Sequence, residues 1–247
     1  LKAEQIDDTI IGCVTPIDDQ GYNVAQAALL RSGWEGSGGS MQINRYCASG
    51  LDAVNLAAMK IRAGWGELVL AGGVESMSRI PMGSDGGALL FDPEVMAGAH
   101  YLPQGVAADL IATLEGFSRE MLDQYAFQSQ QRAAQAMEAG YFKPSLVPIY
   151  DQNGLLILDQ EEAVRPQVTL EQLGQLKPAF AALGRLGFDA MARERYPVLE
   201  EVAHHHTAGN SSGIVDGAAL VLVGSEKAGQ AIGLKPRARL KAAATVS

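Results

Sequence analysis

The stretch Ile43-Asn44-Arg45-Tyr46-Cys47-Ala48-Ser49-Gly50-Leu51-Asp52-Ala53-Val54 is where this sequence offers a nucleophile. An apolar extended run ends, the chain turns, and a helical pattern begins with a cysteine at or just before its first turn. Ala48, Ser49 and Gly50 are small, so the backbone can turn tightly and leave room for a substrate. The free N–H groups and positive end of a helix favour an anion. A thiol in such a place ionises more readily, and the thiolate is the nucleophilic form. The same N–H groups can hold an oxyanion beside the sulfur. Most free cysteines are instead buried and inert. Cys13 fits that description, lying in an apolar strand with no base or helix end expected nearby. For Cys47 taken alone, position and small neighbours do not identify a reaction.

The other chemistry-bearing residues say less. His204-His205-His206 invites a metal reading. On a strand the middle ring points away from its neighbours and on a helix the three fan out, so adjacent rings rarely converge on one ion. A packed or solvated loop is the better reading, and no metal site is expected. Glu161-Glu162 reads as a surface turn. With only Cys13 and Cys47, far apart and without metal-ligand spacing, no disulfide framework is implied, and a reducing, cytoplasmic setting is the simpler expectation. The formal charge of -9 supplies no basic stripe for nucleic acid, though it leaves room for one local basic pocket. No apolar run is long enough for a membrane span: the best, Ile214 to Val223, is interrupted by Asp216. No signal-peptide pattern is present, and Leu1-Lys2-Ala3-Glu4-Gln5 reads as the interior of a longer chain.

The elements that position Cys47 follow from periodicity. Asp8 to Val14 reads as a strand and Asn23 to Leu30 as a helix capped by Asn23. After a glycine-rich loop, Met41 to Asn44 reads as a strand. A helix from about Ala48 to Ala63 follows, with Leu51, Val54, Ala58 and Ile61 on one face. Gly64-Trp65-Gly66 ends it, and Glu67 to Ala71 is a buried strand. Strand and helix alternate, which points to an α/β sheet that is at least partly parallel. From Pro81 the composition changes, and Pro81 to about Ala203 reads as an insertion with its own small core. It contains a long helix, Arg119 to Ala139, capped by Ser118, then short extended pieces and a small helix between Pro148 and Pro178. The β pattern returns at Ile214 to Val223, and Ala238 to Val246 reads as a last strand.

Four segments, in order and over essentially the whole chain, resemble the thiolase family. Asn44 to Gly50 resembles its active-site cysteine motif, and Gly72-Gly73-Val74-Glu75-Ser76-Met77-Ser78 its next segment. Arg165-Pro166 with Leu176-Lys177-Pro178-Ala179-Phe180 is similar to the family's loop domain. Thr207-Ala208-Gly209-Asn210-Ser211-Ser212-Gly213 through Ala219 is similar to its return into the core. The resemblance implies an α/β fold of two like halves in layers of helix and sheet, with a loop domain inserted in the first. On that footing 1–80 and 204–235 form the nucleophile-bearing core, 81–203 the inserted loop domain that binds CoA and substrate, and 236–247 the start of a second half largely absent from these residues. It also implies the reaction: Cys47 takes an acyl group from a 3-ketoacyl-CoA, acetyl-CoA leaves, and a second CoA collects the acyl group, or the reverse condensation. Carried over residue by residue, the N–H of Cys47 joins an oxyanion hole, Arg165 faces the phosphorylated end of CoA, and Phe180, Ala208 and Ser212 line the pantetheine channel. CoA is a substrate and no permanently bound cofactor is implied. The expected partners are acyl-CoA, CoA and further copies of the chain, as a homodimer or homotetramer.

The departures are as informative. The family's second half carries a His in a Gly-His-Pro setting and a second Cys in a glycine-rich turn. None of His100, His204, His205 and His206 lies in such a setting, and Cys13 is the only other cysteine. Where other members place a His beside the substrate, this chain has Leu102-Pro103-Gln104-Gly105. Gln104 to Asp109 and the Asp151 to Pro166 loop look more like the degradative members, which suggests fatty-acid breakdown. The alternatives are an inactive truncated fragment and a related condensing enzyme of the ketoacyl-synthase kind; the Arg165 to Phe180 and Thr207 to Ala219 segments speak against the latter.

Overall fold

Short apolar runs separated by helices build the first part of the chain: β1 (Asp8–Gly12), α1 (Val24–Arg31), β2 (Gly39–Ile43), α2 (Ser49–Arg62) and β3 (Leu68–Ser76). Next come α3 (Ala88–Phe91), α4 (Pro93–Gly98), α5 (Gln104–Glu115), α6 (Arg119–Glu138), β4 (Ile149–Tyr150) and β5 (Leu156–Leu158). Then follow α7 (Leu170–Gly174), α8 (Ala181–Leu183), α9 (Asp189–Arg195), β6 (Asp216–Gly224) and α10 (Glu226–Ala231). The computed structural model describes residues 1–245. The expected strand at Ala238 to Val246 is not formed: Ala238 to Thr245 has no regular structure, and Val246 lies outside the described residues. Among the described residues no strand pairs with Ala238 to Thr245 to take up its backbone hydrogen bonds, and β-type residues alone do not make a strand. The caps expected at Asn23 and Ser118 are present: their side chains accept from the Gln26 and Met121 N–H groups.

The protein has two compact units, one of Leu1–Leu90 with Ile214–Ser247 and one of Phe91–Gly213. The composition change at Pro81 precedes the first break. The segment from His204 to Gly213 groups with the second unit, because the His205 and His206 N–H groups bond to Asp109 of α5.

In the first unit the mixed sheet has the order β2-β1-β3-β6. β1 is parallel to both β2 and β3, and β3 is antiparallel to β6. Parallel neighbours need a crossover, which α1 and α2 supply. Successive side chains of β3 alternate between the faces of the sheet. Val69 and Ala71 pack with Ile10 of β1 and with Ala53 and Ala57 of α2, while Leu68 and Leu70 pack with Ile6 and Trp34 on the other side. The buried face of α2 is therefore centred on Ala53 and Ala57, flanked by Val54, Leu56 and Ile61, and Leu51 is exposed. The expected stripe through Leu51 and Ala58 is rotated because the helix meets the sheet through small residues.

The tightest of these contacts is at the start of α2. A Cβ on Gly12 would lie 2.6 Å from the Gly50 nitrogen and 2.7 Å from the Ser49 Cβ, and one on Gly73 would lie 3.3 Å from the Gly50 Cα. The first turn of the helix thus rests on bare backbone at the end of β1, where only glycine fits, and within β3 at Gly73, where a side chain would crowd it.

In the second unit Leu110 of α5 and Ala192 of α9 pack with Val202, Leu102 and Leu199. Helix α5 has no counterpart among the sequence-based expectations, since Asp109 interrupts its apolar face; that carboxylate is itself fully buried.

Gly12→Ala is expected to destabilise the chain by about 1–3 kcal/mol or more, because the new methyl meets helix backbone that cannot yield. At Gly174 a Cβ meets nothing, so Gly174→Ala in α7 should be neutral or stabilising by up to about 1 kcal/mol. Urea unfolding of the two variants checks the contrast.

Candidate active site

Between the end of β2 and the first turn of α2, five residues turn the chain, and side-chain hydrogen bonds hold the turn. The Asn44 side-chain amide donates to the Val14 carbonyl at 2.9 Å, tying the turn to the segment after β1. Its Oδ1 accepts from the Tyr46 N–H at 2.9 Å. The Ser49 hydroxyl, almost fully buried, donates to the Tyr46 carbonyl at 2.5 Å and accepts from the Arg45 N–H at 2.8 Å. Held this way, Tyr46 adopts φ 50°, in the left-handed region that a non-glycine residue rarely visits. Such a conformation costs about 1–3 kcal/mol and persists only where its surroundings over-determine it. The strain sits on the residue immediately before Cys47.

Cys47 is exposed. Among the described residues no acceptor is bonded to the N–H groups of Cys47, Gly50 or Leu51, as the first turn of a helix dictates. The junction therefore offers an accessible sulfur beside free backbone donors, the combination that can attack a carbonyl and stabilise the oxygen that becomes negative. Arg45 pairs with Asp52 on α2.

Cys13 is the contrast. It is 1% exposed, just past the end of β1, with its N–H donating to the Ile43 carbonyl at 3.0 Å. Burial, reinforced by the negative Glu75, pushes its thiol up to about 11. No base was expected near it, but the Glu75 carboxylate accepts from the Val14 and Thr15 N–H groups and from the Gln20 side chain at 2.7 Å. Gln20 in turn accepts from the Ser76 N–H at 2.7 Å. Glu75 lies in a quoted motif, yet nothing in that motif marks it as the carboxylate that ties β3 to the segment after β1.

The remaining candidates lie in the second unit. Arg165 is exposed, and its N–H donates to the Gln130 side chain of α6 at 2.7 Å. Phe180 is half-buried, its ring against Gly105 of α5 so closely that no side chain fits there. Ala208 and Ser212 are exposed on the segment that follows the histidines. Phe180 and that segment are joined: the neighbouring Ala179 N–H donates to the His206 carbonyl at 2.8 Å. The three histidines do not converge on an ion. His204 and His206 instead turn their Nδ1 atoms to Asp109, each at 2.7 Å. Among the described residues no three His, Cys, Asp or Glu side chains are grouped as metal ligands, and no helix is long and apolar enough to cross a membrane.

Comparison with known proteins adds the following. The family model described as the N-terminal domain of thiolase matches residues 1–187. A 3-oxoadipyl-CoA/3-oxo-5,6-dehydrosuberyl-CoA thiolase of Escherichia coli is 40% identical over 266 residues, covering 99% of this chain and 61% of its own. A beta-ketoadipyl-CoA thiolase, also of Escherichia coli, is 40% identical with the same coverage. A 3-ketoacyl-CoA thiolase of Cronobacter sakazakii is 36% identical over 252 residues, covering 100% of this chain and 59% of its own. The chain thus spans about three-fifths of the length of the curated relatives it matches.

The two thiols should separate sharply under limiting iodoacetamide at about pH 8. A thiol with a pKa of about 11 is ionised there in roughly one molecule per thousand, and the Cys13 sulfur is shielded as well. Peptide mapping should find Cys47 modified first and Cys13 only in denaturant; equal labelling of the two in the folded protein would contradict the structure.

Proposed function

The chain belongs to the thiolase family, and we propose on that footing that it carries the nucleophile and the CoA-binding segments of an acyltransferase working between 3-ketoacyl-CoA and CoA. The observation that supports this most directly is the junction at Cys47: an exposed sulfur beside free N–H groups at the start of α2. The Cys47 thiolate attacks the C3 carbonyl, the C2–C3 bond breaks, and the electron pair leaves on C2, which takes a proton as acetyl-CoA departs. The thioester left on Cys47 is then attacked by the thiol of a second CoA, which returns the enzyme thiolate and releases a shortened acyl-CoA. The N–H of Cys47 serves the oxyanion in both steps. Arg165 meets the phosphorylated end of CoA, and Phe180, Ala208 and Ser212 contact its pantetheine arm. CoA enters as a substrate, and the chain acts as a homodimer or homotetramer.

The family's Gly-His-Pro histidine and second cysteine are matched by no residue of this sequence. We assign the general base and acid to none of the residues present. These 247 residues alone should therefore turn over acetoacetyl-CoA slower than a full-length relative by about 10²–10⁴ in rate.

Two substrate classes are supported. The relatives named 3-ketoacyl-CoA thiolase favour the aliphatic chains of fatty-acid breakdown, and those named for oxoadipyl-CoA or ketoadipyl-CoA favour chains ending in a second carboxylate. The test is the covalent adduct. Exposed to acetoacetyl-CoA, a longer 3-ketoacyl-CoA and 3-oxoadipyl-CoA in turn, the protein should gain an acyl group on Cys47 by mass spectrometry, and the best substrate should protect Cys47 best from alkylation. Cys47→Ala should gain none. An adduct on another residue, or no adduct and no protection with any of the three, would remove the proposal.

A further inference from the structure

In the second unit one buried carboxyl group does more than any other polar side chain. Asp109, fully inaccessible on α5, accepts through Oδ1 from the His205 and His206 N–H groups, each at 2.9 Å. The same oxygen lies 2.7 Å from Nδ1 of His206, and Oδ2 lies 2.7 Å from Nδ1 of His204. The other side of His204 reaches Asp189 of α9 at 3.1 Å. From His206 the order spreads two ways: its carbonyl accepts from Ala179, next to Phe180, and the chain continues into Thr207 and Ala208. The far end of the segment is fastened separately. Asn210 accepts from the Thr207 N–H at 2.8 Å and donates to Asp123 at 2.8 Å, and Asp123 is paired with Arg119.

We infer that Asp109 is the positioning residue of the CoA-binding segment: through His204, His205 and His206 it sets where Phe180 and Ala208 stand, and it grips them harder at lower pH. The inference rests on the assignment of Phe180, Ala208 and Ser212 to CoA. A carboxyl group taken out of water is tolerated only when its lone pairs are filled, and here every donor comes from the segment to be held. Breaking such a buried node leaves an orphaned acceptor, so the segment has one arrangement and no cheap alternative.

The pH dependence follows from His204. The groups facing it are Asp109 from α5, Asp189 from α9 and His206 on its own segment; on α6, Glu120 faces His205. Burial pulls the His204 ring down, but hydrogen bonds to Asp109 and Asp189 and their charges outweigh it, and the net movement is up from the ordinary imidazole value. A raised folded-state value means that the doubly bonded, protonated ring is fully in place below about pH 6.5 and is lost as pH rises through the higher folded value.

The experiment is CoA binding by calorimetry at about pH 6 and about pH 8.5, one below and one well above the ordinary imidazole value. Asp109→Asn removes the charge in the same shape. His204→Asn keeps an amide donor where Nδ1 stands and removes the titrating ring and the reach to Asp189. Asp109→Asn should weaken CoA binding by about tenfold, a change easily read as affinity, and flatten its pH dependence, while Cys47 alkylation keeps its wild-type rate. His204→Asn should bind within about twofold of wild type at the higher pH and lose the strengthening at the lower one. Should Asp109→Asn fail to fold, His204→Asn decides. Wild-type CoA binding with an unaltered Asp109→Asn, or an unaltered pH slope in His204→Asn, would overturn this inference and leave the CoA reading standing. No CoA binding by the wild type would overturn both.

Discussion

The seat of α2 on the sheet is the contact from which the first unit is built. Gly12, Gly50 and Gly73 bring helix backbone against strand backbone with no side chain between them. That closeness dictates the alanines at 53 and 57, which alone are small enough to continue the contact along the helix over Ile10 and Val69. It also explains why the chain after β2 has so little length in which to turn. The turn must reverse direction and start a helix on a fixed spot, and a left-handed residue at Tyr46 is the geometric consequence. Asn44 and Ser49 are there to hold that residue. The position of the Cys47 sulfur is thus an end product of helix–sheet packing.

The second unit reaches the same end, a segment held in one place, by a different route. No glycine contact of the Gly12 kind seats the stretch from His204 to Ser212. Its anchors are two acidic side chains with almost no exposure, Asp109 and Asp123, each filled by donors from the segment or its neighbours. Removing one partner of such a buried arrangement is costly, commonly about 3–5 kcal/mol, because the other is left without compensation. Packing of apolar side chains is forgiving by comparison: the core of this unit is a small group around Leu110, Ala192 and Val202. Polar groups here specify the arrangement, and the apolar core mainly supplies the low-dielectric setting in which they are strong.

What was legible in the sequence divides along physical lines. Period and capping are local, so the strand–helix alternation, the Asn23 and Ser118 caps and the junction at Cys47 could be read directly. The family resemblance was legible because its motifs are the places where spacing leaves no freedom, such as the glycines at 72 and 73. Three features were not legible. The face of α2 was misjudged at Leu51 because rotation is set by a glycine contact between residues far apart in sequence. Helix α5 was missed because a buried Asp looks like an exposed one in a hydropathy pattern. Ala238 to Val246 was read as a last strand, yet a strand exists only where a neighbour accepts its hydrogen bonds. The histidine triplet lies in a loop, as expected, but its partner, ninety-odd residues earlier on α5, leaves no mark in the triplet itself.

The two cysteines show how the same fold gives one chemical element opposite characters. Cys13 ends β1, and Cys47 follows the neighbouring strand β2; the Cys13 N–H bonds to Ile43, only four residues before Cys47. What separates them is the side of the α2 contact on which each falls. Cys13 lies beneath it, 1% exposed and with the Glu75 carboxylate nearby, so ionising its sulfur means placing a second negative charge in a poorly solvated space. Cys47 lies at the mouth of the helix, facing solvent and free N–H groups. Glu75 serves both outcomes. Its bonds to Val14, Thr15 and Gln20 fix the chain segment that receives Asn44, and hence the turn that presents Cys47, while its charge suppresses the only other thiol. The contrast between the two sulfurs is thus already present in the way β1, β3 and α2 are packed.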